Sequence, residues 1–251
     1  MILYEYPFNE RVRTYLRLES LFRRLLQLLA REHAIDHHFA LSTLFEIMEV
    51  AGRSDLKSDV LKDLERQKSA LAAYRGNPAI AEAVLEDIIG KLDTCYSTLQ
   101  DQSGKPGQAL GDNEWLMGVR SRIAIPGGTC EFDLPGYHAW QQLDAARRQG
   151  DLQRWAKTLS PLVDPVRLLL KLLRDSGAPQ MVMATGGHLQ QNLPQGRSFQ
   201  LLRLRIDPAL NLVPEISGNR LMVAVRLMKH EPAERLRAST EDVSFELALC
   251  A

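Results

Sequence analysis

The hydrophobic positions of this chain follow two different periods, and the change falls near Pro179. Before that residue, apolar side chains recur every three or four positions, which predicts amphipathic helices. After it, apolar and polar side chains alternate, which predicts strands with one buried face. The sequence therefore indicates an α+β protein with its helices first and an antiparallel sheet after them.

The helical part begins at residues 9–32, where Asn9 can cap the helix and Glu10 lies in its first turn. Further helices are predicted over residues 36–52, 54–76, 79–99, 113–122, 137–148, 151–157 and 162–173. Ser54 is the expected cap of the third. The third and fourth, joined by the turn Gly76-Asn77-Pro78, predict a long antiparallel helical hairpin.

The strand pattern is clearest where Leu202, Leu204 and Ile206 alternate with Arg203 and Arg205. Strands are predicted over residues 180–190, 198–206, 221–228 and 243–250, with turn residues between them and a break at Gly186-Gly187. These segments predict a small antiparallel β-sandwich.

Residues 120–140, RSRIAIPGGTCEFDLPGYHAW, interrupt the helical part. Pro126-Gly127-Gly128 requires a turn there. The extended run at residues 129–134 is expected to be a strand that joins the C-terminal sheet. The predicted domains are then interlaced, with a helical domain at residues 1–122 and 136–178 and a β domain at residues 123–135 and 179–251.

Composition narrows the function classes. The 251 residues carry 31 Lys and Arg and 31 Asp and Glu, so the net charge is zero and a general nucleic-acid binder is disfavoured. No apolar run approaches the ~18 residues that span a bilayer, and the first residues lack a signal-peptide layout. We expect a cytoplasmic protein with no membrane or nucleic-acid partner. Three scattered cysteines predict reduced thiols.

The sequence gives little support for a metal or cofactor site. His33 and His37 have the spacing of a helical metal pair, but no third ligand accompanies them, and His37-His38 is expected to be a polar turn. No phosphate loop and no GxSxG segment is present. We expect no metal and no cofactor.

Asp133 and His138 are the one candidate acid–base pair. No nucleophile stands beside them in sequence, and most such pairs only hydrogen-bond. We expect no enzymatic activity. A small hydrolase or transferase that uses His138 is kept as an alternative.

Arginines are the remaining candidates for binding. Arg203, Arg205 and Arg226 are expected on the outward face of the sheet, and Arg120 and Arg122 precede the Pro-Gly-Gly turn. Arginine suits the capture of carboxylates on a peptide. A solvated surface, or a nucleic-acid-binding module on the same arginine face, is the alternative. On α-helical spacing, Arg13, Arg17 and Arg24 form a further basic stripe, for which a solvated face is the simpler interpretation.

Several segments together resemble the ZapD family. They are YEYPFNERVRTYLRLE (residues 4–19), RSRIAIPGGTCEFDLPGYHAW (residues 120–140), LLRLRID (residues 201–207), PEISGNRLMVAVRLM (residues 214–228) and the final FELALC. Their order and spacing match over essentially the whole chain.

The resemblance implies a cell division factor with a helical and a β domain. Members of the family form symmetric homodimers, bind the C-terminal tail of FtsZ and cross-link its filaments at midcell, without catalysis. The binding pocket of the family is basic, and its matching positions here are Arg17, Arg120, Arg122 and Arg226, with His138 as a further candidate. We add Arg203 from the sheet pattern. Glu114, at the edge of this region, opposes a fully basic pocket.

Overall fold

The computed structural model describes residues 1–251 apart from 54, 195 and 232–234. The helices are α1 (Glu10–Leu29), α2 (Ala34–Ala51), α3 (Leu56–Ala72), α4 (Glu82–Asp101), α5 (Gln108–Gly111), α6 (Glu114–Ile123), α7 (Pro135–Gln141), α8 (Ala145–Lys157) and α9 (Ser160–Asp175). The strands are β1 (Ile2–Pro7), β2 (Gln180–Ala184), β3 (His188–Asn192), β4 (Leu201–Ile206), β5 (Leu212–Gly218), β6 (Met222–Glu231), β7 (Arg235–Ala238) and β8 (Val243–Cys250). The predicted α+β class is confirmed.

Two compact units divide the chain. The β unit contains residues 1–14 and 170–251, and the helical unit contains residues 15–169. No helix in the described part of the chain is long and apolar enough to cross a bilayer.

Helix caps follow the sequence where polar residues precede an apolar period. The Val12 backbone N–H donates to Asn9 Oδ1 at 2.8 Å, which confirms the predicted cap of α1. Asn113 caps α6 in the same way, through the Leu116 N–H at 3.0 Å. The expected cap at Ser54 lies outside the described residues.

Helices α3 and α4 form the predicted hairpin. At its open end, the Lys57 ammonium donates to the carbonyl of Gln102 at 2.6 Å, which ties the start of α3 to the end of α4. At the closed end, Arg75 Nε lies 2.6 Å from Glu86 Oε1. Contacts at opposite ends of both helices require an antiparallel arrangement. This prediction is confirmed.

A cluster of large aromatic rings joins α6, α7 and α8. Trp115 stacks on Trp155 with ring centroids 5.5 Å apart, and Tyr137 stacks on Trp140 at 5.9 Å. The Trp140 indole N–H donates to Asp151 at 3.0 Å, so the polar edge of this ring is satisfied. The cluster fixes α7, and therefore the position of His138 on it.

Arg148 connects three chain segments of the helical unit through its buried guanidinium. It donates to the carbonyl of Glu32 at 2.6 Å, of Gln141 at 3.0 Å, and of Leu143. Its Nε also donates to Nδ1 of His37 at 2.9 Å. The partners of Arg148 among the described residues are therefore carbonyl oxygens and a neutral imidazole. These hydrogen bonds stabilise the positive charge of the guanidinium, which would be costly to bury without partners.

His37 is held in one tautomer by this network. Its Nδ1 accepts from Arg148, so the proton must reside on Nε2, which donates to the carbonyl of Arg31 at 2.8 Å. Burial lowers the pKa of His37 and the nearby Arg148 charge lowers it further, although the hydrogen bond to Arg31 opposes them. The expected polar turn at His37-His38 is wrong, because both residues lie inside α2 and His37 is fully buried.

Two antiparallel sheets pack as a sandwich in the β unit. One has the order β1-β4-β8-β2 and the other β3-β6-β5, with β7 beside β6. Inward side chains from both sheets form a single apolar core, among them Leu204 and Phe245 from the first and Val225 and Leu227 from the second. The predicted sandwich is confirmed.

The break at Gly186-Gly187 is a tight turn. Both glycines have positive φ, 56° and 75°, and the His188 N–H donates to the carbonyl of Thr185 at 3.0 Å. The two strands that it joins, β2 and β3, belong to different sheets. The turn is therefore the corner at which the chain passes from one layer to the other.

The strand expected at residues 129–134 is wrong. These residues form turns, and residues 123–135 lie in the helical unit. The segment that makes the β unit discontinuous is instead β1, which pairs with β4 from Ile2 opposite Ile206 to Pro7 opposite Leu201. The alternation of Ile2, Tyr4 and Tyr6 with Leu3, Glu5 and Pro7 is compatible with a strand, but nothing near it in sequence identifies the partner strand.

Replacing Arg148 with Met tests the buried network. Three carbonyls and His37 lose their donor, and each buried polar group left unpaired costs ~1–3 kcal/mol, so we expect the free energy of unfolding to fall by about 3 kcal/mol. Urea denaturation measures it. The exposed neighbour Arg147 provides the control, since Arg147→Met should stay within about 0.5 kcal/mol of the parent. Equal midpoints for the two variants would refute the assignment.

The buried neutral His37 also predicts a pH dependence of stability. Its pKa in the folded state lies below the unfolded value of about 6.5, so the unfolded chain takes up a proton first as the pH falls. Stability is therefore complete above that value and declines as the pH drops toward the folded pKa. Denaturation between about pH 7 and pH 5 should show a smaller decline for His37→Gln than for the parent. Parallel curves would contradict this.

Candidate functional site

The predicted arginines of the sheet do not share one face. Arg203 and Arg205 lie on β4 in the first sheet, whereas Arg226 lies on β6 in the second. The expectation of a single arginine-lined sheet surface is therefore wrong. It failed because period-two patterns identify the outward side of each strand but not the sheet to which that strand belongs.

Arg203 is engaged inside the β unit. Its Nε lies 3.1 Å from Glu5 Oε1, and Arg174 from α9 holds the same carboxylate with both Nε and Nη2 at 2.8 Å. The three side chains are mostly buried, with 16–21% of each exposed. Two guanidinium groups thus tie β1, β4 and α9 together around one carboxylate, which the sequence did not indicate.

Arg226 lies on the solvent face of the second sheet. The strand register places it between His188 on β3 and Glu215 on β5. The side chain is exposed and forms no ion pair or hydrogen bond with any described residue. A depression of about 300 Å³ adjoins it, lined by His188, Glu215, Ile216, Ser217, Ala224 and Arg226. The small Ala224 lies beside Ser217 in the register and leaves room between the longer side chains.

In the basic stripe on α1, Arg17 is the member whose side chain forms no ion pair with a described residue. Arg13 pairs with Glu10 at 3.0 Å, and Arg24 pairs with Glu46 and donates to Thr43. The exposed Arg17 has no such partner among the described residues. It borders a depression of about 360 Å³ between α1 and α2, lined by Arg17, Ser20, Leu21, Glu46, Glu49 and Val50. The two glutamates make this depression mixed in charge rather than basic.

Arg120 and Arg122 occupy the last turn of α6, where positive charge is favourable to the helix dipole. Two residues correspond to a rotation of ~200° on an α-helix, so the side chains point to different sides. Arg120 is half-buried and Arg122 is exposed, and neither is paired with a described residue. Glu114 is exposed at the opposite end of the same helix.

The turn predicted after α6 is confirmed. The Gly128 N–H donates to the carbonyl of Ile125 at 2.9 Å, and Gly127 has a φ of 70°. A Cβ on Gly128 would lie 2.6 Å from the carbonyl oxygen of Arg122, so only glycine fits there. The Pro-Gly-Gly motif therefore fixes the backbone immediately after the two arginines.

His138 is exposed on α7, and Asp133 is exposed in the turns before it. No hydrogen bond joins the two side chains or links His138 to another described side chain. An acid–base pair with an oriented base is therefore not formed by these residues. Within the described residues, no cluster of three or more His, Cys, Asp or Glu could hold a metal.

The cysteines are free thiols. Burial raises the pKa of both Cys95 and Cys250, which keeps these thiols protonated and poorly nucleophilic.

The six predicted site residues fall into two groups. Arg17, Arg120, Arg122 and His138 lie in the helical unit, and Arg203 and Arg226 lie in the β unit. Arg120 and Arg122 share α6, and the other four residues lie on four different elements, with no hydrogen bond between any of the six. Four of the five guanidinium groups, those of Arg17, Arg120, Arg122 and Arg226, form no ion pair with a described residue, whereas that of Arg203 does.

Comparison with known families gives the context for these residues. A family model named ZapD, described as a cell division protein, matches residues 16–226. The chain belongs to the ZapD family of cell division proteins. All six candidate residues lie inside the range matched by the ZapD model, which ends at Arg226 itself.

Alanine substitutions should separate structural from exposed arginines in this ZapD-family protein. Arg203→Ala removes one of two cations from the mostly buried Glu5, so we expect a loss of about 1–2 kcal/mol in the free energy of unfolding. Arg226→Ala removes no described contact and should remain within about 0.5 kcal/mol. Urea denaturation of both variants, with the parent chain alongside, checks the difference. A larger loss for Arg226→Ala would contradict the structural role of Arg203.

Proposed function

We propose that this protein binds the C-terminal tail of FtsZ and, as a homodimer, cross-links FtsZ filaments into bundles during Z-ring assembly at midcell. It acts in the cytoplasm as a binding protein, without catalysis or cofactor. Membership of a cell division family supports the biological setting. The resemblance of residues 4–19, 120–140, 201–207 and 214–228 to the ZapD family supports the choice of FtsZ as partner.

The observation that carries this proposal is the set of unpaired arginines. Arg226 stands on an open sheet face beside a depression of about 300 Å³ and has no ionic partner among the described residues. The C-terminus of a peptide carries a carboxylate. A guanidinium can hold a carboxylate through two parallel hydrogen bonds. Since no internal pair must be broken first, Arg226 can bind without loss of a native contact.

The surroundings of Arg226 add selectivity. Glu215 lies opposite it on β5 and repels carboxylates that approach from that side. Ser217 and His188 supply further polar groups around the same depression. These features favour an extended peptide with one acidic group near Arg226 and small or apolar side chains over Ala224.

In the helical unit, Arg17, Arg120 and Arg122 are proposed as further cationic groups for binding, with His138 as a polar group. Arg203 holds β4 and β1 through Glu5, so its contribution to binding is the smallest of the five arginines. The affinity of each site for the tail is expected to be modest by itself. A dimer with one tail site per subunit bridges two filaments, and tethering raises the effective concentration at the second site.

No structural observation favours the alternatives. The His138–Asp133 pair is not formed, and a chain of zero net charge lacks the basic surplus typical of nucleic-acid binding. A steep salt-dependent shift of DNA or RNA would favour the nucleic-acid function. His138→Ala should leave bundling intact.

Charge reversal tests the proposed arginines. We expect Arg226→Glu and Arg17→Glu each to reduce the co-sedimentation of FtsZ polymers with this protein by at least about tenfold, since a single lost charge-assisted contact is worth ~1.5–3 kcal/mol. Higher salt should weaken parent bundling, and FtsZ that lacks its tail should not co-sediment.

The matched control is Arg147→Glu. Its side chain is exposed and unpaired among the described residues, and the substitution changes the net charge by the same amount. It should bundle like the parent, with an unchanged melting curve. Normal bundling by both Arg17→Glu and Arg226→Glu would overturn the site.

A further inference from the structure

Phe132 exposes a larger fraction of its surface, 78%, than any other large apolar residue in the described chain. Single exposed apolar residues are common on protein surfaces, so this exposure by itself indicates no binding site. Phe132 differs from such residues in the backbone that carries it, because that backbone is fixed by hydrogen bonds on both sides of the ring.

A series of short turns forms the loop between α6 and α7. After the Pro-Gly-Gly turn, the Cys130 N–H donates to the carbonyl of Gly127 at 3.2 Å. The N–H groups of Asp133 and Leu134 both donate to the carbonyl of Cys130, at 3.1 and 2.9 Å. Phe132 therefore lies inside a hydrogen-bonded turn that presents its ring to solvent. A ring on a backbone fixed in this way loses little conformational freedom when a partner covers it.

The same turns keep Phe132 near the end of α6. A Cβ on Gly128 would lie 2.6 Å from the carbonyl oxygen of Arg122, so the backbone of the loop touches the last turn of the helix. Phe132 follows Gly128 by four residues, which span at most ~14 Å even when fully extended. Ile125, 46% exposed, lies in the same loop. One short segment of the helical unit thus carries an exposed aromatic ring, a second exposed apolar side chain and an unpaired guanidinium.

Two carboxylates flank the ring of Phe132. Glu131 and Asp133 are exposed, and neither forms an ion pair with a described residue. A carboxylate of a bound peptide is repelled on this side of the loop and attracted by Arg122 on the other. These charges orient a peptide, with its acidic group at the arginine and an apolar group at the ring.

We propose that Phe132 anchors a large apolar side chain of the FtsZ tail, and that an acidic group close to that side chain pairs with Arg122. This proposal rests on the proposed function and adds to it the class of tail residue that the helical unit recognises. Aromatic side chains are enriched in the buried centres of protein interfaces, where each covers ~150–250 Å². Arginine alone accepts any acidic peptide, whereas the ring also requires an apolar residue beside the acid.

A lipid surface is the other common partner of an exposed aromatic ring. The carboxylates of Glu131 and Asp133 would be repelled by anionic lipid headgroups, which attract basic segments instead. The loop therefore fits a peptide better than it fits a membrane.

Substitution of Phe132 tests the contact in fluorescence anisotropy with a labelled FtsZ tail peptide. Phe132→Ala should weaken peptide binding by about tenfold, as expected for an aromatic anchor. Phe132→Leu keeps most of the apolar surface and should stay within about threefold of the parent. Both variants should melt like the parent, because the ring is exposed.

Tyr74→Ala serves as the control for loss of an exposed aromatic ring. Tyr74 is 50% exposed in the connection between α3 and α4, and its substitution should leave peptide affinity unchanged. A second peptide, with the large apolar residues of the tail replaced by alanine, completes a double-mutant cycle. If Phe132 contacts one of those residues, Phe132→Ala should weaken binding of this second peptide by less than about twofold.

Several results would overturn the proposal. One is parent affinity of Phe132→Ala for the tail peptide, and another is an equal loss for Tyr74→Ala. A tenfold loss with both peptides would show that Phe132 maintains the loop rather than contacting an apolar tail residue. Binding to anionic vesicles that depends on Phe132, without an effect on the peptide, would assign the ring to a lipid surface.

The failure of this proposal can be distinguished from the failure of the proposed function. If the parent chain does not bind the tail peptide, both are overturned. If the parent and Phe132→Ala bind the peptide equally well, only the role of Phe132 is overturned, and the function carried by the arginines stands.

Discussion

The helical unit depends on how the buried positive charge of Arg148 is stabilised by hydrogen bonds. Arg148 brings its guanidinium into the interior without a carboxylate among its described partners, and it is stabilised by the carbonyls of Glu32, Gln141 and Leu143 and by His37. These carbonyls stand just beyond the end of α1 and around the end of α7, where helices leave acceptors unpaired. A single side chain at the start of α8 therefore fixes the ends of two other helices. His37 must remain neutral for this arrangement to persist, which couples helix packing to protonation.

Much of the fold could be predicted because local patterns determined it. The caps at Asn9 and Asn113, the α3–α4 hairpin and the Pro-Gly-Gly turn depend on residues close together in sequence. The errors concern long-range contacts. In the run AARRQG nothing distinguishes the buried Arg148 from the exposed Arg147, and residues 129–134 have an extended composition but form turns. The sheet that accepts β1 lies about 200 residues further along the chain, beyond the reach of any local pattern.

The candidate site shows the same division. The sequence identified arginines by type and spacing, and all of them exist on the predicted elements. Whether each arginine is available to a partner depends on the ion pairs that it forms within the fold. Arg203 and Arg226 have similar patterns in sequence, but Glu5 meets one of them and no described acid meets the other. Ionic partners come from tertiary structure, so sequence reasoning could name the arginines but not separate those held within the fold from those available to a partner.

The position of β1 has a consequence for synthesis of the protein. The first sheet needs its first strand from residues 2–7, its neighbour β4 from residues 201–206 and its central β8 from residues 243–250. At ~5–20 residues per second, β1 waits on the order of 10–40 s before β4 has been made. Throughout that interval Tyr4 and Tyr6, which pack against the sandwich core, remain without a sheet to cover them. The nascent chain therefore exposes the aromatic residues of β1 early in synthesis. During this interval a chaperone that binds aromatic segments could shield β1.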